Sequence, residues 1–342
     1  MTIFPSEMTP RAECETAAQA SPRRQNRSVA SYEVYSLRLA SDFPLPELIL
    51  SGGQADVELR KSAKQLTATN PFMVWTAPSG EMWLSFYKLE NKFLLRFSDI
   101  AEFAIDVRGS RIDCVRRDGV PETTFRHLLL DQVLPMVIQL RGGEALHSSA
   151  VVTPEGAIAF CGPTGSGKST LAAIFCRAGD TLLTDDCLAI SESGGELYAA
   201  PGYPGFRLWN EIAADFGWEN RTKDCVAHYT SKRRVKQPDD AAGFPREAAR
   251  LRAIYILERE DARDYMSIEE MSARDQMMGL LSYCFRLDTT NRARLAQQFR
   301  TMERYSRLVR VRRIRLPRNP QRIGDIRERI LADTARAERL AV

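Results

Sequence analysis

From Tyr32 to about Arg117 apolar and polar residues alternate. Tyr32-Glu33-Val34-Tyr35-Ser36-Leu37-Arg38-Leu39 and Lys92-Phe93-Leu94-Leu95-Arg96-Phe97 carry the two-residue period of half-buried strands. Pro78-Ser79-Gly80 and Arg108-Gly109-Ser110 break the runs as turns. The pattern predicts an antiparallel β-rich domain over residues 31–120.

The period then changes. Thr123 to Arg141 has helical spacing, with a bend or break expected at Pro135 and a stop at Gly142-Gly143. A strand near Ala145 to Val152 turns through Pro154-Glu155-Gly156 into the apolar run Ala157–Cys161, which predicts a hairpin. Ordinary doubly wound sheets have no hairpin at this point. Ser169 to Arg177 suits a helix, and Thr181–Thr184 is a short strand ending in Asp185-Asp186. Beyond the loop Pro201-Gly202-Tyr203-Pro204-Gly205 come a strand at Ala253–Leu257 and helices at Ala273–Cys284 and Asn291–Tyr305. A strand at Arg310–Leu316 and a closing helix at Ile323–Ala335 end the pattern. The expected fold class is α/β, with a 121–342 domain of strands and helices following the β-rich one.

Composition narrows the setting. The 342 residues are 44% hydrophobic and 27% charged, ordinary for a globular chain, and no apolar run is long enough for a membrane span. Residues 1–30 lack an apolar signal core and read as a disordered leader. Seven scattered cysteines with no C-x-x-C pair suit a reduced cytoplasm. The net charge of +4 is concentrated between Arg292 and Arg329. That segment reads as a solvated face or as a docking surface for an acidic or phosphorylated partner. No aromatic or zinc module accompanies it, so nucleic acid is not an expected partner.

Gly162-Pro163-Thr164-Gly165-Ser166-Gly167-Lys168-Ser169 is a complete G-x-x-x-x-G-K-[ST] loop between an apolar strand and a helix that opens with Ser169 and Thr170. The glycines let backbone N–H groups converge on phosphate oxygens. Lys168 is placed to reach the β- and γ-phosphates of ATP, and the Ser169 hydroxyl to ligate Mg²⁺. The helix N-terminus adds partial positive charge. Phosphoryl transfer also needs a metal ligand and a base for the acceptor's proton. Asp185 and Asp186, ending the next strand, are the natural pair. Leu50-Ser51-Gly52-Gly53-Gln54 spells an ABC-transporter signature, but upstream and between strands, so it reads as a chance turn. His127 and His228 read as structural.

With His147 upstream and Asp185-Asp186 downstream of the loop, residues 144–190 resemble the catalytic domain of HPr kinase/phosphorylase. The resemblance implies a P-loop domain akin to phosphoenolpyruvate carboxykinase. It also implies Asp186 as general base on an acceptor serine, His147 as its helper and Lys168 as stabiliser of the transferring phosphoryl charge. Ser169 and Asp185 become the metal-ligand candidates, with ATP and Mg²⁺ as cofactors. That family's Glu-x-Arg-Gly element has no counterpart in Pro201–Trp209, which offers Arg207 but no aligned acid. Its C-terminal phosphorolysis segment is not recognisable either.

Further segments are similar to the HPr-kinase-like enzymes of lasso peptide clusters. They are Tyr32–Glu47, Leu146–Ala150, Gly202-Tyr203-Pro204 before Leu208-Trp209, Lys232-Arg233-Arg234-Val235 and Ile314–Arg318. This resemblance implies phosphorylation of the terminal serine side chain of a ribosomally made precursor peptide, with Lys232, Arg233 or Arg234 touching phosphate or the peptide carboxylate. A kinase of a small metabolite such as free serine, and a non-enzymatic nucleotide-binding regulator, are the alternatives. The expected partner is a peptide or protein with an acceptor serine, with no membrane and with homo-oligomerisation left open.

Overall fold

The computed structural model describes residues 29–77, 79–236, 243–259, 265–317, 320 and 324–336. Most of the expected leader, Pro78 of the first turn, Arg318 and Ile323 lie outside the described residues. The alternating segment forms β1 (Ala30–Val34), β2 (Leu37–Ser41), β3 (Ile49–Leu50), β4 (Val57–Lys61), β5 (Met73–Thr76), β6 (Met82–Lys88), β7 (Lys92–Phe97), β8 (Ala101–Asp106) and β9 (Arg111–Arg116). They make one sheet in the order β3-β1-β2-β4-β9-β8-β7-β6-β5. It is mixed, because β4 runs parallel to both β2 and β9. This corrects the expectation of a purely antiparallel sheet. Alternation records which face of a strand is buried, and carries no information on strand direction.

The buried face, with Leu39, Leu59, Phe86, Leu95, Phe97, Phe103 and Ile112, packs against α1 (Glu122–Leu128) and α2 (Leu134–Leu140). A π-turn at Leu129–Val133 joins the two helices. The interruption therefore precedes Pro135. A proline ring clashes with the carbonyl four residues back and offers no N–H, and the widened turn accommodates both defects. The same apolar cluster continues into Ala145, Cys187, Ala200, Tyr203 and Phe285 of the later chain.

The second sheet is built from β10 (Glu144–Leu146), β11 (Ser148–Thr153), β12 (Gly156–Cys161), β13 (Thr181–Thr184), β14 (Leu188–Ser193) and β15 (Glu196–Ala199). A small sheet of β16 (Phe206–Leu208), β17 (Thr222–Cys225) and β18 (Arg233–Val235) stands apart from it, with α4 (Asn210–Asp215) between β16 and β17. β19 (Ala249–Arg259), β20 (Ser267–Glu270) and β21 (Arg310–Leu316) complete the second sheet, ordered β10-β14-β15-β19-β12-β11-β13 with β21 beside β19 and β20. The β11–β12 hairpin is present with Ser148 opposite Cys161. β11 separates β12 from β13 and is antiparallel to both, so the sheet is not doubly wound. The chain is thus mixed α/β with several sheets. The single strand expected over Ala145–Val152 is instead split at His147. β10 pairs with β14, whereas β11 pairs with β12 and β13.

α3 (Lys168–Arg177) buries Leu171, Ala172, Phe175 and Cys176 against Phe160, Val151 and Leu182, and ends at Gly179 in the left-handed region, where glycine is favoured. α5 (Ala273–Tyr283) and α6 (Arg292–Leu308) each open on a side-chain cap, from Ser272 and Asn291. α7 (Ile326–Arg336) is fastened to α3's end by Arg327, whose guanidinium grips the Asp180 carboxylate at 2.5 and 3.0 Å. Many of the C-terminal arginines pair within the fold: Arg310 and Arg312 with Asp333, Arg313 and Arg315 with Glu258, and Arg304 with Glu192. No helix among the described residues is long and apolar enough to cross a membrane.

Candidate active site

The glycine-rich loop folds tightly between β12 and α3. Gly165 and Gly167 have φ of +80° and +102°, values that side chains disfavour. A Cβ on Gly162 would stand 2.5 Å from Ser166 Oγ and 3.0 Å from Leu257 Cβ, so only glycine fits there. Pro163 and Gly165 are exposed at the crest, Thr164, Gly167 and Thr170 are half-buried, and Ser166 is buried with its hydroxyl unpartnered. Lys168, the first residue of α3, is buried and donates from Nζ to the carbonyls of Gly162 (2.9 Å) and Pro163 (3.0 Å). Burial pushes its ammonium down to about 8, with Lys232 adding to the effect and Asp186 opposing it.

Ser169 Oγ donates to Asp185 Oδ1 at 2.8 Å. The same carboxylate accepts from Ser149 Oγ at 2.5 Å and from the Arg207 amide at 2.9 Å. Burial nevertheless holds the Asp185 carboxyl above its usual range. Asp186 follows at φ +81°, strained for any residue except glycine but least so for Asp and Asn. Its carbonyl accepts from the Ser148 amide and from His147 Nδ1 at 3.1 Å. Burial alone would raise its carboxyl too, but Arg207, Lys232 and Lys168 outweigh it and hold Asp186 below the usual carboxylate range. The Asp186 side chain keeps 23% of its surface open, against 1% for Asp185. Two adjacent carboxyls are thus driven in opposite directions, and only one of them faces solvent.

His147 sits in the gap between β10 and β11, where its amide bonds the Tyr283 carbonyl at 2.7 Å and its ring meets Phe285 edge-on. Because Nδ1 donates to the Asp186 carbonyl, Nε2 carries the lone pair, and it is buried with no partner. Burial, reinforced by Lys168, pushes the imidazole down to about 3. The ring is therefore neutral at physiological pH.

One guanidinium organises this set. Arg207 on β16 donates to the Asp185 carbonyl at 2.7 Å, to Asp131 Oδ1 at 2.5 Å and to the Tyr203 hydroxyl, and stands 3.3 Å from the Asp186 carboxylate. Asp131, fully buried in the π-turn, also accepts from Tyr203 at 2.7 Å and bonds His127 Nδ1 at 2.6 Å. Sequence reasoning gave Arg207 no role and missed Asp131. A lone acid inside the apolar helical run Leu128–Leu134 is the signal that could have found it. His127, read as structural, is part of this network, whereas the His228 ring pairs through Nδ1 with the Thr124 hydroxyl at 3.0 Å, outside it. Of the three basic residues around β18, Arg234 turns inward onto Glu47 and the Tyr203 ring, and Arg233 reaches the Lys223 carbonyl. Lys232 stands over Trp209, its ammonium 5.3 Å from the ring, within electrostatic reach of Lys168, His147 and Asp186.

The residues present fit Mg²⁺ and a polyphosphate. The loop has no room for a Cβ at Gly162, Ser166 Oγ is an orphaned buried hydroxyl, and Lys168 is folded onto neutral carbonyls that an anion would outcompete. Among the described residues no group of three or more His, Cys, Asp or Glu could cage a metal. Ser169 and Asp185 offer a partial shell, which suits Mg²⁺, an ion that takes its remaining ligands from phosphate and water.

No family model matches the chain, and no curated protein matches it by sequence. Among solved structures it is similar to the HPr(Ser) kinase/phosphatase from Coxiella burnetii, at 11% identity and a TM-score of 0.26 over 58% of this chain and 97% of that one. That likeness is too slight to argue from.

Proposed function

We propose that the chain is an ATP-dependent kinase of the HPr-kinase-like kind, transferring the γ-phosphoryl group to a serine hydroxyl. The observation that carries this reading is the convergence on one end of α3 of Lys168, the Ser169–Asp185 pair and a solvent-facing, ionised Asp186. The loop amides and Lys168 hold the phosphates, and Ser169 with Asp185 would hold Mg²⁺, which neutralises phosphate charge. Asp186 takes the acceptor's proton. His147 fixes the Asp186 backbone through its carbonyl, and Lys168 supports the charge on the phosphoryl oxygens.

The acceptor we favour is a ribosomally made precursor peptide of the lasso type. In support, four of the five segments that resemble those enzymes meet around this site: Tyr32–Glu47 supplies Tyr35 and Glu47, Leu146–Ala150 supplies His147 and Ser149, and Gly202–Pro204 and Lys232–Val235 flank Arg207. The test is incubation of the protein with Mg·ATP and a precursor peptide encoded beside its gene, followed by mass spectrometry. One added phosphoryl group, mapped to serine, is expected. An untouched peptide alongside rapid phosphorylation of free serine would replace the acceptor class. Nucleotide binding with no acceptor in any extract would leave a regulator.

Lys168 supplies a second expectation. An anion binds the protonated amine, so affinity for ATP should weaken as pH rises through about 8, approaching tenfold per pH unit above it. Calorimetry across that range checks this, with proton uptake on binding as its companion signal. A flat profile would mean that Lys168 does not meet the phosphates.

A further inference from the structure

The tip of the β1–β2 hairpin reaches the centre of this site. Tyr35 and Ser36 form its two-residue turn, with φ of +54° and +58°, between the paired residues Val34 and Leu37. Such turns favour Asn-Gly, because left-handed backbone costs other residues about 1–2 kcal/mol each. Tyr-Ser holds this shape because tertiary contacts impose it. The Tyr35 amide donates to the Pro201 carbonyl at 2.7 Å, and its side chain is only 3% exposed. A Cβ on Gly202 would collide with Thr184 Oγ1 and stand 3.2 Å from Tyr35 Cε1. Gly202 in turn donates to the Leu183 carbonyl at 2.9 Å. The tyrosine ring is therefore a wedge against the 201–207 segment at the point where it crosses β13. That segment delivers two of the groups that bond Asp131, Tyr203 and Arg207. The phenol oxygen is buried within electrostatic reach of Cys187, Asp131, Tyr203 and Arg207, and makes no more than a weak contact with the Cys187 thiol. The contact that matters is thus the ring and the backbone bond, with the hydroxyl incidental.

We propose that Tyr35 is a positioning residue through which the N-terminal sheet holds the 201–207 segment, and with it Arg207, in register with Asp185 and Asp186. Only the turnover part of its test rests on the kinase reading. Hydrogen exchange in the free protein tests the positioning directly.

Tyr35→Ala is expected to speed exchange in peptides covering 184–187 and 201–208, while peptides from β12 and α3 stay protected. With Mg·ATP and an acceptor it is expected to lower kcat by tenfold to about 10²-fold, since small misplacements at a site have effects of that size, with nucleotide KM within about twofold. Tyr35→Phe is expected to match the wild type in exchange, kcat and KM. Should the alanine variant not fold, Tyr35→Leu is read in the same way. Unchanged exchange at 201–208 in the smaller variants overturns the proposal, and so does a Tyr35→Phe variant as impaired as Tyr35→Ala. If exchange follows the expected pattern while the wild type phosphorylates nothing, the kinase reading falls and the positioning stands.

Discussion

Asp186→Asn is expected to lower phosphoryl transfer by about 10²–10⁴-fold, the range that a positioned general base contributes, while ATP affinity stays within about twofold. Three features of the residue set this size. Its side chain keeps an open surface that Asp185 lacks, so an acceptor hydroxyl can approach it. Arg207, Lys232 and Lys168 overcome its burial and keep it ionised. A polyphosphate arriving at Lys168 raises the pKa of any nearby carboxyl, and one of ordinary resting value would drift toward protonation. The depressed starting point guards against that. Asparagine is the right replacement because it tolerates the left-handed backbone at φ +81° and preserves shape while losing the ability to take a proton. Steady-state transfer and calorimetric ATP binding on the same preparation decide the matter. Full activity in the variant removes Asp186 from the base role. Lost ATP binding would assign it to the phosphate or metal site instead.

Much of this arrangement was legible in the chain, for a physical reason. A tight phosphate-type loop needs glycines at fixed intervals, a hairpin needs its turn residues, and a carboxylate pair at a strand end beside such a loop is placed for a metal and a proton, so Gly162–Ser169, Pro154–Gly156 and Asp185-Asp186 announce themselves. What stayed hidden depends on distant pairing. The split at His147 arises because β10 and β11 find different partners, and nothing in Ala145–Val152 records that. β14 is apolar only over its first half, β15 is four residues long, and the β16–β18 sheet is only a few residues wide, so none of them stands out from a loop. Asp131 and Arg207 lie far apart in sequence, and the ion pair between them exists only once the π-turn and β16 are assembled. Tyr35 looked like one more apolar position in an alternating strand, whereas it occupies the turn between two strands.

Arg207→Met should be the most destabilising single change in the site. It strips the counter-charge from Asp131 and Asp185, both essentially without solvent contact, and from Asp186. Breaking a buried ion pair on one side costs about 3–5 kcal/mol, because the remaining charge is left uncompensated. The deficit has a defined pH dependence. Asp186 has a folded pKa below its unfolded value, so its contribution to stability is present above the unfolded value of about 3.9 and is lost as pH falls through the folded one. Without Arg207 that contribution disappears, and buried carboxyls that must now ionise oppose folding. The gap between variant and wild type should therefore be widest at neutral pH and narrow as pH falls toward about 4, where protonation removes the unpaired charges. Urea denaturation at the two pH values measures it. A gap that is absent at neutral pH, or that widens on acidification, would show that Arg207 does not compensate these carboxylates. Asp131→Asn combined with Arg207→Met separates the two duties of the guanidinium. Removing one buried charge should restore part of the stability, since Tyr203 can still donate to the asparagine oxygen. Transfer should not return, because the guanidinium 3.3 Å from Asp186, the strongest of the charges that keep it ionised beside a bound polyphosphate, would be gone.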